Sequence, residues 1–165
     1  MRKTITALIG AATTAMTISG AGMAAAGAKP AAATTEHFQE VVASPASNKA
    51  NVIVYGAFTA AGVDVENANN TDTFKFPSGT FLLTPKYTVQ SEHVDKATCL
   101  LTATVRLTYK ISRGTGKYAG ISGSGHGTIA DLEITARNTH GACSTSKTPL
   151  AQQVIAHGQG PVALP

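Results

Sequence analysis

The chain has 165 residues, 43% hydrophobic and only 13% charged, with a formal net charge of +4. Ordinary soluble domains carry about 25% charged residues. The apolar share excludes a disordered chain, the length fits one domain, and two cysteines exclude a disulfide-dense mini-scaffold.

The N-terminus reads as a secretory signal peptide over 1–28. Arg2 and Lys3 form a positive start, an uncharged run follows to about Ile18, and Ala26-Gly27-Ala28 fits an A-x-A cleavage site. Ala24 and Ala26 are alternative cleavage points. Threonines and glycines dilute the run too far for a spanning helix. Removal takes two of the 13 basic residues and none of the nine acidic ones, lowering the formal charge to +2. The remaining lysines and arginines are scattered, which argues against nucleic acid as a partner. Export places Cys99 and Cys143 in an oxidising compartment, where an even pair reads as a disulfide. A loop of that size is worth about 4 kcal/mol in the chain-entropy model.

Residues 29–35 read as a disordered leader and 36–165 as one β domain. Residues 36–43 predict a first strand. Residues 51–58 are apolar on both faces and predict a strand covered on both sides. The asparagine-rich stretch 60–71 predicts a loop. Phe74 and Phe76 alternate in 72–76, and Pro77-Ser78-Gly79 is a turn signal. Residues 80–90 contain Pro85, which has no ladder donor and predicts an edge or bulged strand. Residues 97–112 alternate most clearly, with Leu101, Val105, Leu107, Tyr109 and Ile111 on one face. Residues 113–127 are glycine-rich, with Gly123, Gly125 and Gly127 in two-residue steps, as at a barrel corner. Residues 126–137 alternate again, 138–149 form a loop, 150–158 a last strand, and Pro161 onward a tail. Seven or eight short strands without helical periodicity predict an all-β fold, a single antiparallel β-barrel of about eight strands, with a β-sandwich as the alternative.

Phe76-Pro77-Ser78-Gly79-Thr80, Cys99, the run from Gly114 to Gly125 (GTGKYAGISGSG) and Cys143 occur in that order. This pattern resembles dirigent proteins, allene-oxide-cyclase-like barrels and small secreted actinobacterial proteins of that barrel type, over about residues 50–160. The resemblance implies an eight-stranded antiparallel barrel with a central pocket. Dirigent proteins steer radical coupling and the cyclases steer ring closure. Arg113 stands where the dirigent motif has its first glycine, so activity does not transfer with the fold.

Asp131 and Glu133 lie two apart on one strand and are candidate general acid–base partners. The competing reading makes them a solvated exterior opposite a buried Ala130, Leu132 and Ile134. Arg106 on the preceding strand is a third catalytic candidate, paired with Glu133 in a pocket. Tyr109, Tyr118 and His126 are candidate ligand-binding residues. The five histidines lack metal-ligand spacing, so no metal is expected. Gly114-x-Gly116-Lys117 leads into a β pattern rather than a helix, so no nucleotide cofactor is expected. Ser122 and Ser124 lie in no nucleophile elbow.

The sequence therefore predicts a secreted, non-catalytic β-barrel that binds a small apolar ligand. A dirigent- or cyclase-like catalyst that orients a reactive substrate is the second reading, and a structural envelope-associated protein the third. No membrane span is expected, and self-association is left open.

Overall fold

A computed structural model describes residues 33–42 and 47–164. The expected signal peptide and the leader up to residue 32 lie outside the described residues. The elements are β1 (Thr34–Val42), β2 (Lys49–Tyr55), β3 (Ala60–Glu66), β4 (Asp72–Phe76), β5 (Gly79–Asp95), β6 (Leu100–Ser112), β7 (Ser122–Ile134), β8 (Ala136–Arg137), β9 (Cys143–Ser144) and β10 (Ala151–Ala163), with one 3-10 turn at Gly116–Tyr118. Eight strands close into a barrel in the order β1-β10-β7-β6-β5-β4-β3-β2, and β8 and β9 form a separate hairpin. All pairings are antiparallel, and β1 joins β2 on one side and β10 on the other. The barrel is the predicted fold, and closure excludes the sandwich. Among the described residues, no helix is long and apolar enough to cross a membrane.

Several local expectations change. Thr34 and Thr35 belong to β1 rather than to a leader. β2 is covered on one side only, because Ile53 and Tyr55 face outward at 53% and 49% exposure. Residues 60–66, expected in a loop, form β3. Here Ala60, Gly62, Asp64 and Glu66 occupy the inward positions and Val63 and Val65 alternate with them on the other face, so the usual apolar-in, polar-out order is reversed. Pro85 sits where β4 has already ended and β5 pairs only with β6, so no ladder needs its donor. The β5 bulge lies between Val89 and Ser91. The expected tail is strand, and Val162 is buried within it.

One end of the barrel is filled. Phe58, Phe76 and Phe81 meet Tyr118 there, Phe74 packs on Phe76 and Phe81, and Phe38 lies edge-on to Phe74 and Phe81 at the inner limit of the cluster. Phe74 stacks on Phe81 at 5.2 Å, and Phe58 lies 5.0 Å from Tyr118. Offset and edge-on aromatic contacts of this kind add about 0.5–1.5 kcal/mol per pair beyond area burial. The Phe76–Thr80 turn and the glycine-rich segment that begins at Gly114 close this end together. The Lys117 amide donates to the Ser78 carbonyl at 2.8 Å, and the Thr115 amide to the Thr80 carbonyl at 2.8 Å. Gly79 has φ 145° and Gly116 φ 57°, and a Cβ on either would collide with the other turn's carbonyl oxygen. Both positions thus require glycine for conformation and for space.

At the far end, the Cys99–Cys143 disulfide ties the β5–β6 turn to the β8–β9 hairpin. Arg137 adds to this tie, donating to the carbonyls of Gly141 at 2.7 Å and Ala97 at 2.6 Å. Thr135, buried beneath them, donates its amide and hydroxyl to the Cys99 carbonyl.

Candidate functional site

The open half of the barrel holds a cavity of about 120 Å³. Its floor is apolar and aromatic: Phe38, Leu83, Leu107 and Tyr109. Its wall is acidic: Glu40 from β1, Asp64 and Glu66 from β3, and Asp72 from β4, with Lys49 at the rim. Asp64 and Asp72 are buried. The Tyr87 hydroxyl reaches toward Asp72 Oδ2 at 3.5 Å.

These acids arrive by strand parity. On β1 the inward positions are Glu36, Phe38, Glu40 and Val42, and on β3 they are Gly62, Asp64 and Glu66. Counting Asp72, Asp131 and Glu133, seven of the chain's nine carboxylates face the interior. Glu36 lies deepest, with no exposed surface. Its Oε2 accepts from the Phe58 amide at 3.1 Å, and the nearby Ala57 amide also favours the charged form. Burial outweighs both and pushes the Glu36 pKa up. Glu36 Oε1 has no hydrogen-bond partner among the described residues.

Tyr109, a ligand-binding candidate, lines this cavity. Its ring lies over Gly125 on β7, where a Cβ would come within 2.3 Å of the hydroxyl. The hydroxyl is buried without a hydrogen-bond partner among the described residues. Desolvation, helped by the charges of Glu36 and Glu40, pushes the phenol far above its ordinary range. Tyr118 lies instead in the filled end, among Phe58, Phe76 and Phe81.

Asp131 and Glu133 do not form a solvated exterior. β7 places Gly123, Gly125, Gly127, Ile129, Asp131 and Glu133 on its inward face, and Leu132 and Ile134 face outward at 39% and 38% exposure. The glycines set this parity: they are needed inside, where β7 approaches β10 and Tyr109 closely, and a period of two carries the choice along the strand. The Gln152 amide on β10 bridges the two acids, donating to Glu133 Oε1 at 2.9 Å and to Asp131 Oδ1 at 3.3 Å. Burial raises the Asp131 pKa.

Arg106 does not join them. It pairs with Thr128 on β7 and faces outward, whereas Glu133 sits opposite Leu101. The expected Arg106–Glu133 pocket is therefore absent. His126 also faces outward. Among the described residues, no group of three or more His, Cys, Asp or Glu side chains is arranged to hold a metal ion.

The sequence reading missed the acidic wall. Glu40, Asp64, Glu66 and Asp72 were legible only as polar interruptions of strand patterns, and their shared direction depends on the closure of β1 through β4. No family model matches the chain, and neither a curated protein nor a solved structure matches it.

Proposed function

We propose that this is a secreted, non-catalytic binding protein that takes a small ligand into the open end of its barrel. The ligand joins a compact apolar body to a positively charged group. The observation that carries this reading is the two-sided lining of the cavity, apolar below and carboxylate-bearing around. Phe38, Leu83 and Leu107 suit the apolar body, and Glu40, Asp64, Glu66 and Asp72 suit an ammonium or similar centre. The size supports a compact ligand. Pockets for drug-sized molecules run to about 300–1,000 Å³, well above the 120 Å³ here. A large terpenoid or lipid chain does not suit it. The outward direction of Arg106 weighs against a catalyst that steers a substrate between an interior arginine and an acid. The disulfide supports an oxidising, extracytoplasmic location.

The test compares cyclohexylamine with cyclohexanol by thermal shift and native mass spectrometry. Cyclohexylamine is expected to raise Tm and to be retained, and cyclohexanol to do neither. Asp72→Asn is expected to weaken amine binding about tenfold, the scale of one hydrogen bond to a charged group. Equal response to amine and alcohol, or no response to either, refutes the reading.

A further inference from the structure

The outer surface of the barrel carries a second concave site. A groove of about 750 Å³ runs across β2, β1, β10, β7, β6 and β5. Strand register lines up one row of outward side chains along it: Tyr55, His37, Gln159, His126, Thr108 and Lys86. Five inter-strand steps of about 4.8 Å give this row a length of about 24 Å along the surface. A second row beside it holds His157, Thr128, Arg106 and Thr88.

Three features define what fits. First, the groove lining includes no Asp or Glu. The barrel has turned most of its carboxylates inward, leaving the cations outside. Second, the fixed charges are few and paired: Lys86 and Arg106 are diagonal neighbours on β5 and β6, about 7–8 Å apart by strand geometry. Third, the far end is an aromatic platform. His37 and Tyr55 stack at 4.9 Å with planes 10° apart, and Tyr55 remains half exposed. Between the platform and the cations lie amide, hydroxyl and imidazole groups, which both donate and accept hydrogen bonds.

We propose that this groove binds an extended, carboxylate-bearing glycan. A sugar ring rests its apolar face on Tyr55, the hydroxyls of the following rings exchange hydrogen bonds with Gln159, His126 and Thr108, and a carboxylate meets Lys86 and Arg106. A neutral glycan leaves the two cations unused. A nucleic acid carries a charge at every nucleotide, and two fixed cations over six strands neutralise too few of them. A second copy of this chain offers little complementary charge, because its only Asp and Glu side chains outside the barrel interior are Glu92 and Asp95.

The test uses a galacturonate hexamer, maltohexaose and a thymidine hexamer, each titrated calorimetrically against the whole protein. The galacturonate hexamer is expected to bind, and Arg106→Gln and Lys86→Gln each to weaken it about tenfold. Tyr55→Ala is expected to weaken all glycan binding. These side chains lie on the outer surface, and far-ultraviolet circular dichroism of each variant checks that the barrel is intact. Asp72→Asn, at the interior cavity, is expected to leave glycan binding unchanged. Absence of galacturonate binding, equal binding of maltohexaose, tighter binding of the thymidine hexamer, or an unaffected Arg106→Gln overturns the proposal.

Discussion

Gly125 and Tyr109 show how one missing methyl group shapes the interior. A Cβ at Gly125 would stand 2.3 Å from the Gln159 carbonyl oxygen and 2.3 Å from the Tyr109 hydroxyl. The carbonyl belongs to the β10 backbone and cannot yield cheaply. The tyrosine ring covers the space that an ordinary side chain would fill. At Gly158, the nearest atom to an added Cβ is Tyr109 Cε1 at 3.3 Å, a contact that a small ring shift relieves. Gly125→Ala is therefore expected to cost about 1–3 kcal/mol, the usual range for overpacking. Gly158→Ala should cost clearly less. Urea unfolding midpoints of the two variants check the contrast. The spacing of Gly123, Gly125 and Gly127 was legible in sequence as a tight place. The ring that occupies it was not, because Tyr109 lies on another strand.

At the scale of elements, legibility followed hydrophobic contrast. β6 was readable because Leu101, Val105, Leu107, Tyr109 and Ile111 all face the interior. β7 was readable as a strand but with its faces reversed, because apolar Leu132 and Ile134 face out while Asp131 and Glu133 face in. β3 was invisible because its inward positions are an alanine, a glycine and two acids, with Val63 and Val65 on the opposite face. Charged inward positions survive where they lie near an open end or share a donor such as Gln152. The hairpin of β8 and β9 depends on neither pattern. It is held by the disulfide, Arg137 and the buried Thr135. Replacing both cysteines by serine is expected to lower stability by about 2–4 kcal/mol, from the loss of a long closed loop in the unfolded chain. Guanidinium unfolding of this variant beside the oxidised parent checks the figure. The filled aromatic end lies at the opposite end of the barrel and should keep its near-ultraviolet circular dichroism.

At the scale of the whole molecule, charge is sorted by side of the wall, and pH dependence follows. Glu36 and Asp131 have raised pKa values because burial disfavours their charged forms. The folded protein therefore holds their protons at pH values where the unfolded chain has released them. Their contribution falls as pH rises from the unfolded carboxyl value of about 4 through the folded value, and is level above it. Asp95 works in the opposite direction. The Ala97 amide and Thr98 hydroxyl hold its pKa low, so its contribution is lost only as pH falls through a value below the ordinary aspartate range. Tm is thus expected to be higher near pH 4, where the unfolded carboxyls begin to ionise, than at pH 7. The Glu36→Gln, Asp131→Asn double variant should remove much of that difference, and scanning calorimetry at both values checks it. An unchanged difference in the double variant would assign the pH dependence elsewhere.

The pairing of β1 with β10 also sets an order in time. Thr34 sits opposite Val162, so β1, which can pair with β2 early, waits for the last strand to cover its other edge. Contacts so distant along the chain are slow to form, because a long loop must be ordered before they stabilise anything. During synthesis, β2 through β7 can pair with their neighbours in turn as hairpins. β1 and β7 each keep an open edge until residues 151–163 have been made. A ribosome-bound chain stalled short of that segment would remain an open sheet, with neither the interior cavity nor the outer groove, since β10 supplies part of both.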